Sequence, residues 1–232
     1  MEAPPAVPAS SLLQLARAAG HDLRIGIDAR GVEIEHVDLQ LRFHHSFISG
    51  PIAKRARQSN QLLLKACNNK QRNISRVLDL TAGWGVDGYT LAQHGQAVTL
   101  LEQNRLVHAI VAHSLAQLAA SPATTDIAAR MVLEQIDAIH YLQSLGEAEF
   151  DCIYLDPMFP GHKSGAKPAK EMQILQALTD NRNIAACFEL ALARAGKRVV
   201  VKRAAKAAPL GDRKPDLVQR ARTIRFDVYL TT

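Results

Sequence analysis

From Ser75 to the end of the chain, strand-like and helix-like segments alternate, and this alternation limits the possible folds more than any other feature. The strand-like runs are 76–80, 97–102, 131–137, 150–156, 197–203 and 223–230, and the helix-like runs are 87–95, 105–120 and 172–195. Such alternation predicts βαβ units, with a parallel sheet covered by helices on both faces. We expect an α/β fold whose ligand site lies where the loops after Leu80, Leu101, Ile136 and Leu155 converge.

The first 50 residues have a different pattern and predict a separate small unit. A short helical pattern around Leu12 and Leu15 precedes residues 23–47, in which apolar and polar residues alternate with a period near two. That period is typical of β-strands, and residues 50–69 then predict one helix with an apolar stripe. We predict a small β-containing unit at 1–50 and one main domain at 51–232, because the chain is too short for two ordinary catalytic domains.

Net charge, cysteine content and hydropathy restrict the possible partners, metal sites and location of the protein less strongly. The 232-residue chain has a formal net charge of +6 and a sequence pI near 9.4, which favours a polyanionic partner without identifying one. Cys67, Cys152 and Cys187 lie far apart without a C-x-x-C pair, so we expect buried thiols and no metal site. No apolar run approaches the roughly 18 residues of a membrane span, and the first residues make a poor signal peptide. The cytoplasm is therefore the expected location.

The loop after the first main-domain strand reads G-x-G-x-x-G, from Gly83 to Gly88. With acidic Glu102 ending the next strand, it matches the dinucleotide-binding fingerprint, although glycines also mark simple turns. Asp79 argues against a dinucleotide, because its carboxylate would oppose a pyrophosphate at the helix N-terminus but attract an ammonium group. We therefore predict S-adenosylmethionine, which has an ammonium, a sulfonium and no phosphate. Gly83 and Gly85 would let the backbone approach this ligand.

The fourth strand ends in Y-L-D-P-M-F-P, Tyr154 to Pro160. Amino-group methyltransferases require a segment of the form (Asp/Asn)-Pro-x-(Tyr/Phe), because an exocyclic amine becomes nucleophilic only when acceptors hold it. We predict that Asp156 supplies a side-chain acceptor and Pro157 a backbone carbonyl. Phe159 offers a flat face on which a base can stack. Asp-Pro is also a common turn opener, so it indicates this chemistry only in combination with the glycine loop.

The sequence resembles the bacterial ribosomal small subunit methyltransferase J family. The resemblance is carried by LDLTAGWGVDGYTLAQHG, LLEQN, YLDPMFP, KSGAKPAKEM, RVVVKR and RFDVY, and it runs from about Gly50 to the end. It implies a Rossmann-like class I methyltransferase fold with a mostly parallel seven-stranded sheet. It also implies S-adenosylmethionine as cofactor and methyl transfer to the N2 amine of a guanosine in 16S ribosomal RNA of the small subunit.

The resemblance implies cofactor contacts at seven positions. They are Val86, Asp87, Glu102, Gln103, Asp137, Ala138 and Asp156. The chain departs from the family pattern at three places: an Arg-Asp pair is usual at Val86-Asp87, an Arg at Gln103, and two serines at Asp137-Ala138. Contacts through the backbone would survive these changes. Asp137 could accept a hydrogen bond from an adenine amine or act only as a helix cap.

Basic residues follow two of the predicted strands. Lys163, Lys167 and Lys170 come after the D-P-M-F-P segment, and Lys202 and Arg203 end a later strand. Because the carboxyl ends of parallel strands meet at one edge, we predict that both groups bind RNA phosphates at the rim of the site. The alternative is a solvated charged face.

Three functions remain open from the sequence. The first is a ribosomal RNA guanine-N2 methyltransferase. The second is an amine methyltransferase acting on DNA, another RNA or a protein glutamine, because the same four-residue motif serves all of these. The third is an NAD-dependent oxidoreductase or a nucleotide-binding protein, which would tolerate the loss of Asp156.

Overall fold

A computed structural model describes residues 7–58, 61–67, 73–158, 168–179 and 183–231. The strands in these ranges are β1 Leu23–Asp28, β2 Gly31–His36, β3 Leu41–His45, β4 Arg76–Asp79, β5 Ala97–Leu101, β6 Met131–Glu134, β7 Cys152–Leu155, β8 Arg198–Ala204, β9 Leu217–Arg220 and β10 Ile224–Leu230. The helices are α1 Ala9–Ala18, α2 Gly50–Arg57, α3 Gln61–Cys67, α4 Val86–Gln93, α5 Arg105–Ala120, α6 Thr125–Ala128, α7 Ala138–Ser144, α8 Lys170–Leu178 and α9 Ile184–Arg194.

The larger sheet confirms the predicted α/β class. Within the described ranges it has seven strands in the order β6-β5-β4-β7-β8-β10-β9. Strands β4 to β8 pair in parallel, whereas β10 runs antiparallel to both β8 and β9. The carboxyl ends of β4, β5, β6 and β7 therefore lie at one edge, where the strand pattern predicts the ligand site.

Alternate residues of the central strands pack into two hydrophobic clusters, one on each face of the sheet. Val77 and Tyr154 belong to the first cluster, and their neighbours Leu78 and Ile153 belong to the second. All four residues of β7 are buried. Burial on both faces is characteristic of parallel strands between helix layers, and it gives the loop after β7 a rigid base.

The N-terminal unit forms an antiparallel sheet, β1-β2-β3, as the period-two pattern predicts. Val32 and Phe47 of this unit belong to the same buried cluster as the main-domain residues Tyr89 and Val111. The Phe47 and Tyr89 rings stack with centroids 5.1 Å apart. The division at residue 50 stays a prediction, and the two units share one core.

Two of the predicted helices are each divided in the structure. The sequence predicts one helix over residues 50–69, but α2 ends at Arg57 and Gln58 has a non-helical ψ of 91°. It likewise predicts one helix over residues 172–195, but α8 ends at Leu178 and Thr179 is extended, with ψ 158°. Thr, Asp and Asn are weak helix formers because their side chains compete for backbone hydrogen bonds, and T-D-N follows Leu178 directly.

The described residues include no membrane-spanning helix and no metal-binding cluster. None of the described helices is long and apolar enough to cross a bilayer. The same residues contain no group of three or more His, Cys, Asp or Glu side chains that could hold a metal ion.

Candidate active site

A cavity of about 550 Å³ lies at the carboxyl edge of the larger sheet. Most of the predicted cofactor residues line it: Asp79, Gly83, Val86, Asp87, Glu102, Gln103, Asp137, Ala138 and Asp156. Gly85 and Pro157 are described but are not part of the lining, and Phe159 lies outside the described residues. The fold therefore brings the two sequence motifs, the glycine loop and the segment after β7, to one cavity.

The glycine loop makes a tight left-handed turn into α4. Gly83 and Gly85 have φ values of +51° and +71°, a region that side-chain-bearing residues rarely adopt. Glu102 fixes the turn from β5, because its Oε2 accepts a hydrogen bond from the Gly83 N–H at 3.1 Å. Its Oε1 accepts from the Asn104 N–H at 2.7 Å. Burial raises the pKa of Glu102 to about 7.

Asp79 is a nearly fully buried carboxylic acid at the end of β4. It is 2% exposed, and its Oδ1 accepts a hydrogen bond from the Thr81 N–H at 3.0 Å. Burial, together with the negative charges of Asp87 and Asp156, raises the pKa of Asp79 to about 8. The group is thus protonated at neutral pH until a positive charge is placed beside it.

Asp87 and Asp156 share one ammonium group. Lys202 Nζ lies 2.7 Å from Oδ2 of Asp156 and 3.0 Å from Oδ2 of Asp87. The Tyr154 hydroxyl donates a further hydrogen bond to Oδ2 of Asp87 at 2.6 Å. Burial acts to raise the pKa of Asp87, but Lys202 and Tyr154 outweigh it and hold that pKa below its usual range.

The backbone at Asp156 is tied to the glycine loop. The Asp156 N–H donates to Thr81 Oγ1 at 2.6 Å, so the loop after β7 is joined directly to the loop after β4. Pro157 is buried, and its ring fixes φ. These contacts hold the Asp156 carboxylate at the cavity wall with little conformational freedom.

The remaining predicted cofactor residues lie on the same rim. Val86 and Asp87 begin α4, and Gln103 follows β5 as an exposed residue. Asp137 caps α7, because its Oδ1 accepts from the His140 N–H at 3.0 Å. It also lines the cavity, so the capping role and a ligand contact are compatible.

Sequence reasoning missed several residues of the cavity wall. Trp84 lies inside the glycine motif and donates from Nε1 to the Glu171 carbonyl at 2.9 Å. Glu171 on α8 forms an ion pair with Arg55 on α2. Trp84 was identifiable from its position in the loop. The Arg55–Glu171 pair was not, because its members are 116 residues apart; Glu171 lies in the K-S-G-A-K-P-A-K-E-M segment, but nothing in the sequence connects that segment with Arg55.

The charge of the cavity discriminates between S-adenosylmethionine and a nicotinamide dinucleotide, the two ligands that the glycine loop could bind. Among the described residues that line it, six are acidic and two are basic: Asp79, Asp87, Glu102, Asp137, Asp156 and Glu171 against Arg55 and Lys202. Both basic residues are already ion-paired. Even with Asp79 protonated, the acidic residues outnumber the basic ones, and the excess negative charge attracts a cationic ligand and repels a pyrophosphate. The residues present therefore fit S-adenosylmethionine and not a nicotinamide dinucleotide.

The predicted RNA-binding residues do not share one environment. Lys163 and Lys167 lie outside the described residues. Lys170 begins α8 and is exposed. Lys202 lies in the cavity and not on its rim, and Arg203 donates two hydrogen bonds to the Ala208 carbonyl, at 3.1 and 2.7 Å.

Gly85→Val should lower stability and not cofactor affinity. The sequence motif assigns Gly85 to the cofactor, but a Cβ there would lie 3.0 Å from Phe47 Cζ and 3.4 Å from Val111 Cγ1. Left-handed strain and overpacking should together cost about 2–4 kcal/mol. Chemical denaturation would measure that loss, and cofactor titration of the folded variant should give a dissociation constant near the wild-type value.

Gly20→Val is the matched control. Gly20 has a φ of +74°, and no atom lies within 4 Å of the position that a Cβ would take there, so this variant carries the strain without the contact. It should lose about 1 kcal/mol. If Gly85→Val instead abolished cofactor binding at unchanged stability, the Gly85 side-chain position would face the ligand.

Comparisons with known proteins agree with this site. The family model described as a putative SAM-dependent methyltransferase matches residues 10–231. Ribosomal RNA small subunit methyltransferase J of Nitrosococcus oceani is 36% identical over 210 residues, covering 88% of this chain and 83% of that protein. The protein of the same name from Thioalkalivibrio sulfidiphilus is 37% identical over 218 residues, covering 91% and 82%.

Solved structures show the same fold. A SAM-dependent methyltransferase of Neisseria gonorrhoeae has a TM-score of 0.70 and 26% identity, covering 96% of this chain and 92% of that one. The rRNA methyltransferase AviRa of Streptomyces viridochromogenes, at 15% identity and a TM-score of 0.50, shares the fold over 78% of this chain and 85% of its own. The predicted class I methyltransferase fold and the predicted cofactor are thereby confirmed, and the chain belongs to the ribosomal RNA small subunit methyltransferase J family of SAM-dependent methyltransferases.

Proposed function

We propose that the protein transfers a methyl group from S-adenosylmethionine to the exocyclic N2 amine of a guanosine in 16S ribosomal RNA, in the cytoplasm. The observation that carries the proposal is the acidic cavity, in which Asp156 meets the glycine loop. The names of the relatives support a small-subunit ribosomal RNA substrate. The D-P-M-F motif supports an amine as methyl acceptor.

The protein's own task in this reaction is alignment. Bound S-adenosylmethionine supplies an electrophilic methyl group. Oδ1 of Asp156 accepts a hydrogen bond from the guanine amine. The sequence motif assigns the second acceptor to the Pro157 carbonyl, although Pro157 is buried and does not line the cavity. These acceptors favour a more tetrahedral nitrogen and aim its lone pair along the line of displacement. The proton that the nitrogen loses passes to solvent or to Asp156.

The acceptor base must leave its stack to reach Asp156, since this carboxylate lines the wall of the cavity. Base extrusion of this kind costs a few kcal/mol and is common to enzymes that modify bases. We propose that Phe159 stacks on the extruded guanine. This role comes from the sequence motif alone and predicts that Phe159→Ala loses transfer activity while the fold persists.

Label transfer tests the proposed function directly. Small ribosomal subunits that lack their own guanine-N2 methylation would be incubated with methyl-labelled S-adenosylmethionine, digested to nucleosides and separated by chromatography. We expect label in N2-methylguanosine. Label in another nucleoside, or transfer only to DNA or protein, would replace the guanine-N2 assignment with that substrate.

Three exposed basic residues at the same sheet edge are proposed to bind RNA phosphates. Arg220 ends β9, Arg222 lies in the turn before β10, and the Ala205 N–H donates to the Thr223 carbonyl at 2.9 Å, which brings Lys206 to this turn. At about 4.8 Å per strand, β9 lies about 14 Å from β7, within reach of nucleotides that flank an extruded base.

The double variant Arg220→Gln/Arg222→Gln should weaken RNA binding and flatten its salt dependence. Each phosphate contact to single-stranded RNA contributes about 0.7 to the slope of log Kd against log salt, so the slope should fall by about 1.4. Lys214→Gln is the control, because Lys214 is exposed and its neighbour Arg213 contacts the Leu230 carbonyl at the opposite edge. Equal slopes for the wild type, the double variant and Lys214→Gln would mean that the two arginines do not contact RNA phosphates and belong to a solvated surface.

A further inference from the structure

Lys202 has a different environment from the one its sequence context predicts. The strand pattern assigns it to the RNA-binding rim, but its side chain is 21% exposed and contacts two carboxylates. Two of the three ammonium donors are used by Asp156 and Asp87. An ammonium with its donors engaged in this way is a poor phosphate ligand, so its role lies inside the cavity.

Lys202 contacts only one of the two carboxylate oxygens of Asp156. Oδ2 accepts from Lys202 Nζ at 2.7 Å. In the described part of the chain, Oδ1 has no hydrogen-bond partner, and the Asp156 N–H is fixed by Thr81 Oγ1 at 2.6 Å. The carboxylate is thus held by one oxygen and by its backbone, and the other oxygen remains available as an acceptor.

The same ammonium joins two loops of the site. Asp87 is the second residue of α4, directly after the glycine loop, and its Oδ2 accepts from both Lys202 at 3.0 Å and Tyr154 at 2.6 Å. Asp156 follows β7. Lys202 therefore connects the segment that holds the cofactor with the segment that holds the methyl acceptor.

We propose that Lys202 is a positioning residue for methyl transfer: its ammonium clamps Asp156 through Oδ2 and ties it to Asp87, leaving Oδ1 for the acceptor amine. This inference rests on the proposed function of Asp156. It assigns Lys202 to the geometry of the reaction and not to RNA binding.

Electrostatics give the clamp a second effect. Among the residues that the structure describes, the ionisable groups that act on Asp156 or on its partner Asp87 are Asp79 on β4, Arg55 on α2, Cys67 on α3, Tyr154 on β7 and Lys202 itself. Burial and the charge of Asp87 raise the pKa of Asp156, and Lys202 opposes that rise. A neutral side chain at position 202 would let Asp156 take up a proton and lose its strength as an acceptor.

The test compares Lys202→Met, Lys202→Arg and the control Lys197→Met. Lys197 precedes the same strand and pairs with Asp151 at 2.7 Å, at its opposite end. For Lys202→Met we expect kcat to fall about 10- to 100-fold at saturating cofactor. The pKa of the Asp156 carboxyl, measured by carbon-13 NMR on the cofactor-free protein, should rise by about one pH unit or more. The low-pH inflection in the profile of kcat against pH should move upward with it. Lys202→Arg should keep the wild-type pKa, and Lys197→Met should keep kcat.

An unchanged Asp156 pKa in Lys202→Met would overturn the proposal, as would a wild-type kcat. So would a rise in the cofactor Kd with unchanged kcat at saturation, because Lys202 would then serve cofactor binding alone. If Lys202→Met fails to fold, Lys202→Gln gives the same readouts. The NMR titration uses no substrate and is therefore independent of methyl transfer. If the Asp156 pKa differs between the wild type and Lys202→Met but the wild type transfers no label, the proposed function is rejected and the contact of Lys202 with Asp156 is retained.

Discussion

Asp156→Ala should reduce methyl transfer by at least about 10²-fold, the cost of losing a fixed hydrogen-bonding group in a transition state. The variant removes the Oδ1 acceptor for the amine and leaves the Lys202 ammonium with Asp87 alone. Single-turnover kinetics at saturating cofactor would measure the loss. Asp156→Asn keeps a carbonyl acceptor without the ion pair, so its rate should lie between those of the wild type and the alanine variant.

Asp212→Ala is the matched control for this substitution. Asp212 lies in an exposed loop, so its removal should leave the rate unchanged. Circular dichroism and thermal unfolding would show that Asp156→Ala remains folded. Transfer by Asp156→Ala at a tenth of the wild-type rate or more would remove Asp156 from the catalytic role and reopen the choice of acceptor.

The large sheet was predictable because its signals are local. Runs such as residues 76–80 and 150–156 are apolar and bounded by turns, and a parallel strand buried on both faces leaves that pattern in any sequence. Strand β9 was missed, because Leu217–Arg220 has only four residues at the sheet edge, with its two end residues exposed and its two central residues half-buried, so it shows no alternation of apolar and polar positions. The breaks at Gln58 and Thr179 were missed because the apolar stripe continues on either side of each break.

The candidate site was predictable where a motif fixes the chemistry, and not where contacts are long-range. Asp79, Glu102 and Asp156 each end or follow a strand, so their meeting at one edge follows from the fold class. The fold class does not show that the side-chain position of Gly85 faces the core, or that Lys202 lies inside the cavity. Both depend on partners far away in the chain, Phe47 for Gly85 and Asp87 for Lys202.

Cofactor affinity should increase with pH up to about 8 because Asp79 must release a proton when a cation binds beside it. The pKa of Asp79 is raised to about 8, chiefly by burial. We expect the ammonium of S-adenosylmethionine to lie near this carboxylate, so the Kd should fall by up to tenfold per pH unit between pH 6 and 8. Above about pH 8 the ligand's own α-amino group loses its charge, and the affinity should fall again. Calorimetric titration at several pH values would measure the profile.

Asp79→Asn separates this effect from other titrations. The amide oxygen can still accept from the Thr81 N–H, so the turn should persist, but the rise between pH 6 and 8 should disappear. Glu102→Gln should keep that rise. The raised pKa also means that the folded, cofactor-free protein binds a proton more tightly than the unfolded chain does. Its free energy of unfolding should therefore decrease as the pH increases from about 4 to about 8. Asp79→Asn should make that decrease smaller and leave the part that comes from Glu102, whose pKa is raised to about 7. If the cofactor affinity of the wild type does not change with pH, or if it rises equally in Asp79→Asn, the ligand's positive charge lies elsewhere in the cavity.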